Sequence, residues 1–347
     1  MNIALTFDDF LLEPQCSEVA SRDDVDLSTK IGHFTFTTPI ISSPMDTVTT
    51  AEMAVAMSVA GGLGIIHRGQ TIESQTSQVK QARLLSPDQN PIIGGAVGVS
   101  ASQFERAKAL MKANAQVICV DVCHGHHVAV ADMIKRIKDF NPYAIVIAGN
   151  VGTLAGAEFL AAAGADAVRV GIGNGSICST RLNTGHGVPQ AHALSQITDV
   201  NLRSFSANVA IISDGGHRNT GDIAKAFGFG ADMVMLGSML SGTSESPGLI
   251  EDINGQLFKS YRGMASREAQ EDWSTKVSSV EGIAAMVPYK GSVHKVLDDI
   301  KSNLRGSFSY SGADSLTKFK ECAKMIQISR ASVQEGTTHI LEKGLIA

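Results

Sequence analysis

The chain lacks the marks of several protein classes. It has no basic surplus: 29 Lys and Arg stand against 34 Asp and Glu, for a formal net charge of −5. Neither nucleic acid nor an anionic membrane is therefore expected as a partner. A phosphate ligand stays compatible with this charge, because backbone amides bind phosphate without cationic side chains. The five cysteines, Cys16, Cys119, Cys123, Cys178 and Cys322, are odd in number and loosely spaced, so no disulfide framework is expected. Cys119 and Cys123 lie close to His124, His126 and His127, yet no further Cys/His pair completes a zinc set. They read as a buried strand cysteine followed by a polar loop, with a metal site as the lesser alternative. The apolar runs are short and broken by glycine, which speaks against a membrane span. The opening MNIALTFDDF has no basic region followed by an apolar one, so no secretory signal is expected. No low-complexity linker divides the chain. A single domain over residues 1–347, in a reducing cytoplasm, is the expectation.

What the sequence does have is a rhythm. Eight short apolar runs, at 39–45, 61–67, 91–99, 116–122, 144–151, 167–172, 209–216 and 233–240, read as strands. Each is continuous rather than alternating, as expected when both faces of a strand are covered. Helix-like periodicity is clearest at 51–60, 102–115, 153–165 and 221–231, and several of these stretches end at Gly or Asn. Eight βα units are the number that closes a barrel, so the fold expected is α/β, a (β/α)8 TIM barrel. A doubly wound open sheet is the alternative. Residues 1–37 fall outside the barrel. After the eighth strand, 246–266 reads as a hairpin at the barrel mouth, 267–287 as a mobile flap, and 293–313 as a helix with a turn. The last stretch reads as partly disordered or packed on a neighbouring subunit.

Barrel enzymes place their chemistry at the C-terminal ends of the strands. The loop after the sixth run, GIGNGSICSTR (171–181), stands out. Gly173 and Gly175 permit close backbone approach, Ser176 offers a hydroxyl for a phosphate oxygen, and Cys178 is a soft nucleophile among small residues. Thr180 is placed to assist with protons. On its own Cys178 reads equally as a small buried apolar residue. Gly-containing turns follow the seventh and eighth runs, SDGG (213–216) and LGSM (236–239), where barrels commonly bind phosphate. Asp214 suits the vicinal hydroxyls of a ribose, or else caps a turn or helix. Ser43, Met45 and Asn150 join the same rim. Together these loops suggest a site for a phosphate, a sugar and a flat base.

The sequence resembles the inosine-monophosphate dehydrogenase and guanosine-monophosphate reductase family over essentially its whole length. The resemblance is carried by LTFDDFLLEP (5–14), SSPMDTVTTAEMA (42–54), GGLGIIHR (61–68), AGNV (148–151), VGIGNGSICSTR (170–181), SDGG (213–216), MLGSML (235–240), YRGMAS (261–266) and VPYKGSV (287–293). It implies that Cys178 adds to C2 of a purine nucleoside 5′-monophosphate, and that hydride moves between C2 and a nicotinamide. It implies a nucleotide site lined by Ser43, Met45, Asn150, Ser176, Asp214, Gly216, Gly237, Ser238, Tyr261, Gly263 and Met264. Asp121 matches the residue that touches the nicotinamide ribose, though alone it reads as a solvated loop acid. The carbonyls of Gly173, Gly175 and Cys178 match a monovalent cation site, potassium, and a homotetramer is implied.

Within the family the resemblance favours the reductase, with NADPH as cofactor. Dehydrogenases, which use NAD, activate water with an adjacent Arg-Tyr pair, and this chain has no Arg-Tyr dipeptide. Glu281 matches the glutamate that works with the threonine on ammonia in reductases; read alone it is a solvated flap acid. The regulatory CBS domain found in most dehydrogenases has no room between Arg68 and the residues that follow. On the other side, LTFDDFLLEP, DVCHGH and YRGM read like dehydrogenase, and Ser278 stands where reductases usually carry arginine. A dehydrogenase lacking the CBS domain and a non-catalytic nucleotide-binding protein are the alternatives.

Overall fold

A computed structural model describes residues 3–87, 90–198, 209–273 and 277–336. The eight apolar runs form β1 (Ile40–Ser42), β2 (Leu63–Ile66), β3 (Ile93–Val97), β4 (Val117–Asp121), β5 (Ile145–Val151), β6 (Ala167–Val170), β7 (Ala210–Asp214) and β8 (Met233–Leu236). All neighbours pair in parallel and in chain order. The ladder Val234–Ile40, Met235–Ile41 and Leu236–Ser42 joins β8 back to β1. That closing ladder makes the sheet a barrel and excludes the open doubly wound alternative.

The strands read as unbroken apolar runs because each face meets a different core. Ile41, Ile65, Cys119, Ile147, Ile212 and Met235 fill the barrel interior. Ile66, Val120, Val146, Val168 and Val234 turn outward and pack beneath the helices. Those helices are α1 (Ala51–Val59), α2 (Ile72–Leu85), α3 (Ala101–Lys112), α4 (Val128–Phe140), α5 (Leu154–Ala162), α6 (Gln190–Thr198), α7 (Thr220–Gly228) and α8 (Val293–Tyr310). The helix read at 293–313 is thus the eighth of the ring, packed between α7 and α1. Helix α2 shows weak periodicity because its inner face carries Gln75, fully buried and donating to the carbonyls of Ile66 and Ala96 at 3.0 Å each. Those two bonds compensate for burying an amide that would otherwise destabilise the helix by about 1–3 kcal/mol.

The two ends of the barrel differ. At the N-terminal end the hairpin Thr29–Ile31/Phe34–Phe36 inserts Ile31 and Phe36 into the interior cluster and plugs it. At the other end lies a cleft of about 850 Å³. Over it stands a three-stranded antiparallel sheet: the expected hairpin, Glu251–Ile253 and Gln256–Arg262, plus a third strand, Ala284–Pro288.

Two expectations need correction. The stretch read as one flap begins as a helix, Arg267–Trp273, and ends in that third strand; residues 274–276 lie outside the described residues. The C-terminal stretch is not loose as far as Gln327: Lys324–Gln327 pairs antiparallel with Phe10–Glu13 of the same chain. Its remainder from 337 lies outside the described residues. Between β2 and α2 only residues 67–71 intervene, so no CBS domain is inserted there.

Candidate active site

The cleft is built from the loops that leave the C-terminal ends of the strands. Ser43 and Met45 follow β1, Asp121 ends β4, and Asn150 lies near the end of β5. Gly173, Gly175, Ser176, Cys178 and Thr180 occupy the loop and short helix after β6. Asp214 and Gly216 come from β7 and its turn, and Gly237 and Ser238 from the turn after β8. Tyr261, Gly263 and Met264 descend from the hairpin, and Glu281 from the returning flap. Every one of these sequence-derived residues lines the same cleft.

Glu281 reaches Cys178 through backbone pairing. Ser179 donates its amide to the Glu281 carbonyl at 3.0 Å, and Ile283 donates to the Ile177 carbonyl at 3.1 Å. This short antiparallel bridge places the side chains in line. The Cys178 thiol donates to Thr180 Oγ1 at 3.1 Å, and Thr180 Oγ1 donates to Glu281 Oε2 at 2.8 Å. Ser279 Oγ donates to the other carboxylate oxygen at 3.3 Å. A hydrogen-bonded path therefore runs from a half-buried sulfur to a carboxylate. Glu281 is not a solvated flap acid.

The turn after β7 uses two consecutive left-handed residues, Gly215 at φ +87° and Gly216 at φ +84°. Side chains are strained in that region, so glycine is required, and the backbone amides can face a ligand. Gly237 is required by proximity instead. A Cβ there would lie 2.8 Å from Tyr261 Oη and 3.3 Å from Met45 Sδ. Burial pushes the Tyr261 hydroxyl pKa up, partly offset by hydrogen bonding with Ser176.

The acids of the mouth are linked by a residue that the sequence reading did not single out. Arg169, only 5% exposed, points into the barrel from β6. It donates to Asp121 Oδ1 at 2.7 Å, to Asp214 Oδ2 at 2.8 Å, and to Cys119 Sγ at 3.3 Å. Asn150 Nδ2 donates to the same Asp214 oxygen at 2.7 Å. Arg68 approaches Asp121 Oδ2 at 3.7 Å and lies over the Trp273 ring at 5.9 Å. The available signal was a single charge inside an apolar barrel run, AVRV, which only a buried counter-charge explains. Asp121 is thus no solvated loop acid. Nor does Asp214 cap a helix: Asn219 caps α7, accepting from the Asp222 amide at 3.0 Å.

The remaining cysteines divide as the sequence suggests. Cys119 is buried inside the barrel, where burial pushes its thiol pKa up to about 12. It is inert as a nucleophile. Cys123 sits exposed on the following loop. Among the described residues no three His, Cys, Asp or Glu side chains form a group able to hold a metal.

The IMP dehydrogenase / GMP reductase domain profile matches residues 4–339. The chain belongs to the IMP dehydrogenase / GMP reductase family. Members of the family are oxidoreductases acting on purine nucleotides with a nicotinamide cofactor, and this chain is an enzyme of that kind. It is 33% identical to an inosine-5′-monophosphate dehydrogenase of Nitrosopumilus maritimus, over 96% of this chain and 98% of that protein. It is 35% identical to a GMP reductase of Vibrio atlanticus, over 96% of both chains. Its structure resembles that of a cysteine-to-alanine variant of GMP reductase from Trypanosoma brucei in complex with guanosine 5′-monophosphate, with a TM-score of 0.91, 29% identity and 98% of each chain covered. Among the described residues no helix is long and apolar enough to cross a membrane.

Proposed function

We propose that the protein is a GMP reductase, converting GMP to IMP and ammonia with NADPH. The observation that carries this reading is the unbroken Cys178–Thr180–Glu281 chain of hydrogen bonds. Adding the sulfur to C2 of GMP and expelling its amine requires a thiolate and a proton for the leaving nitrogen. A free thiol of pKa about 8.5 is only a few per cent ionised at neutral pH, so a nearby acceptor must take its proton. In this reading Thr180 accepts the thiol proton while passing its own to Glu281, and the path reverses to protonate the departing amine. Ammonia leaves and a C2 thioimidate on Cys178 remains. A dihydronicotinamide, when bound, would supply the hydride to C2. The C–S bond then breaks, giving IMP and the Cys178 thiolate, which takes up a proton from solvent to restore the thiol.

The rest of the cleft suits the substrate. Asp214 Oδ2 is taken by Arg169 and Asn150, which leaves Oδ1 to accept ribose hydroxyls. The amides of the Gly215–Gly216 turn, Gly237 and Ser238 would hold the phosphate. Ser43, Met45, Tyr261, Gly263 and Met264 would flank the base. On the far side Arg68 Nε is buried without a hydrogen-bond partner among the described residues, its approach to Asp121 being an ion pair too long for one. That donor and Asp121 would meet the nicotinamide ribose. The Gly175 carbonyl already accepts the Cys178 amide at 3.1 Å, so with Gly173 and Cys178 it would offer a potassium ion its remaining lone pair. Exposed Leu249, Ile253, Leu257 and Met286 on or beside the three-stranded sheet support association into a homotetramer. A cytoplasmic, reducing setting agrees with five free cysteines, one of them the proposed nucleophile.

The second reading is an IMP dehydrogenase, converting IMP to XMP with NAD. Arg262 of YRGM and Ser278 favour it, as does the number of dehydrogenases among the relatives. Against it stands the missing Arg-Tyr pair. Purified protein given GMP and NADPH should lose nicotinamide absorbance, with equimolar ammonia and IMP formed. Gain of absorbance only with IMP and NAD would replace the reductase by the dehydrogenase. Nucleotide binding with neither reaction would leave a non-catalytic nucleotide-binding protein.

A further inference from the structure

The Cys178 loop carries a side-chain brace that the proton path does not use. At its centre is Asn174, between Gly173 and Gly175. Asn174 Oδ1 accepts from Arg181 Nη2, and Asn174 Nδ2 donates to Gln190 Oε1 at 2.5 Å. Arg181 adjoins Thr180 and also donates to the Val188 carbonyl at 3.2 Å. Gln190, 2% exposed at the start of α6, donates to the Val170 carbonyl at 2.7 Å and to Ser213 Oγ at 2.9 Å. Ser213 Oγ lies 3.0 Å from His217 Nε2.

The amide orientations are fixed from both ends. The Val170 carbonyl can only accept, so Gln190 must turn its nitrogen there and its oxygen to Asn174. A guanidinium can only donate, so Asn174 must give Arg181 its oxygen and Gln190 its nitrogen. There is little slack around the brace. A Cβ on Gly215 would stand 3.2 Å from the Asn174 carbonyl carbon, and one on Gly173 2.8 Å from Arg181 Cγ.

We propose that Asn174 is a positioning residue that sets the Cys178 loop against the Gly215–Gly216 turn by joining Arg181 to Gln190. An amide at 174 serves both neighbours at once. Alanine serves neither, and aspartate serves only the guanidinium. Because Ser213 immediately precedes Asp214, the brace ties the sulfur-bearing loop to the strand that presents the ribose-binding acid. The inference rests on Cys178 being the nucleophile of the proposed reaction.

The test compares Asn174→Ala and Asn174→Asp with the parent in three measurements: turnover of GMP with NADPH, thermal midpoint, and the rate at which iodoacetamide alkylates Cys178 without nucleotide. Misplacing a reacting group by about 1 Å costs on the order of a hundredfold, so kcat of the alanine variant should fall about 10- to 100-fold, with KM changing less. Alkylation should move the opposite way, faster by about threefold or more, because a released loop exposes a nucleophile that is still intact. The aspartate variant should lie between, and both should melt close to the parent. Alkylation rates unchanged in both variants would overturn the proposal. So would a kcat loss matched by a large fall in melting temperature, which would make Asn174 merely structural. If the parent fails to turn over GMP, the reductase reading falls, while alkylation still decides the role of Asn174.

Discussion

Replacing Arg169 by methionine tests the electrostatics of the mouth most directly. The arginine side chain is 6% exposed, whereas those of Asp121 and Asp214 are 19% and 16% exposed. Methionine fills much of the volume but leaves two neighbouring carboxylates without their shared cation. Removing one partner of a buried pair costs about 3–5 kcal/mol. The acids keep some solvent, which screens them, so the lower end, about 3 kcal/mol, is expected. At the roughly 2 °C per kcal/mol of a large domain, the thermal midpoint should drop by about 6 °C. Lysine should recover only part of the loss, because one ammonium cannot span two acids as a guanidinium fork does. GMP affinity should weaken as well, since Asp214 loses the partner that orients it. Denaturant unfolding and isothermal titration with GMP provide the two readouts. A methionine variant within about 1 kcal/mol of the parent, binding GMP equally well, would refute the view that Arg169 organises both acids.

Other changes test other parts. Thr180→Val and Glu281→Gln each cut the proton path, so each should lower kcat by about 10²- to 10⁴-fold in a stopped-flow or steady-state assay, with GMP binding little changed. Cys178→Ala should abolish turnover and leave GMP binding measurable by calorimetry. Gly237→Ala would push Tyr261 Oη and Met45 Sδ from positions 2.8 and 3.3 Å from the new Cβ. The overpacking should cost about 1–3 kcal/mol and raise KM for GMP, as urea melts and initial rates would show. Stability should also be acid-sensitive, because burial lowers the pKa of both His67 and His217 to about 4. The unfolded chain binds these protons near pH 6.5 and the folded one only near pH 4, so stability falls as pH drops through that window. His217→Gln keeps a partner for Ser213 and should flatten the slope; urea unfolding at a series of pH values would reveal an unchanged slope if the assignment is wrong.

The legibility of this protein follows the range of the interactions involved. Local signals sufficed where a property belongs to a short stretch of chain. Strands covered on both faces are mostly apolar, so the eight runs were visible as they stand, and left-handed turns favour glycine, so SDGG announced itself. Signals failed where a residue's character depends on distant partners. Gln75 weakened the pattern of α2 because its partners are carbonyls of β2 and β3. Lys324–Gln327 looked loose because its partner strand begins at Phe10.

The sequence by itself determined the barrel, the glycine-rich Cys178 loop and the set of residues at its rim, since eight repeated βα units leave few ways to bury their apolar faces. Only the tertiary structure decided how those residues act on one another. Closure of β8 on β1 brings Asp121 and Asp214 within reach of one arginine. The return of the flap lays Glu281 against Thr180. Hydrogen bonds and ion pairs act over about 3 Å, and no periodicity along the chain encodes such distances between residues a hundred positions apart.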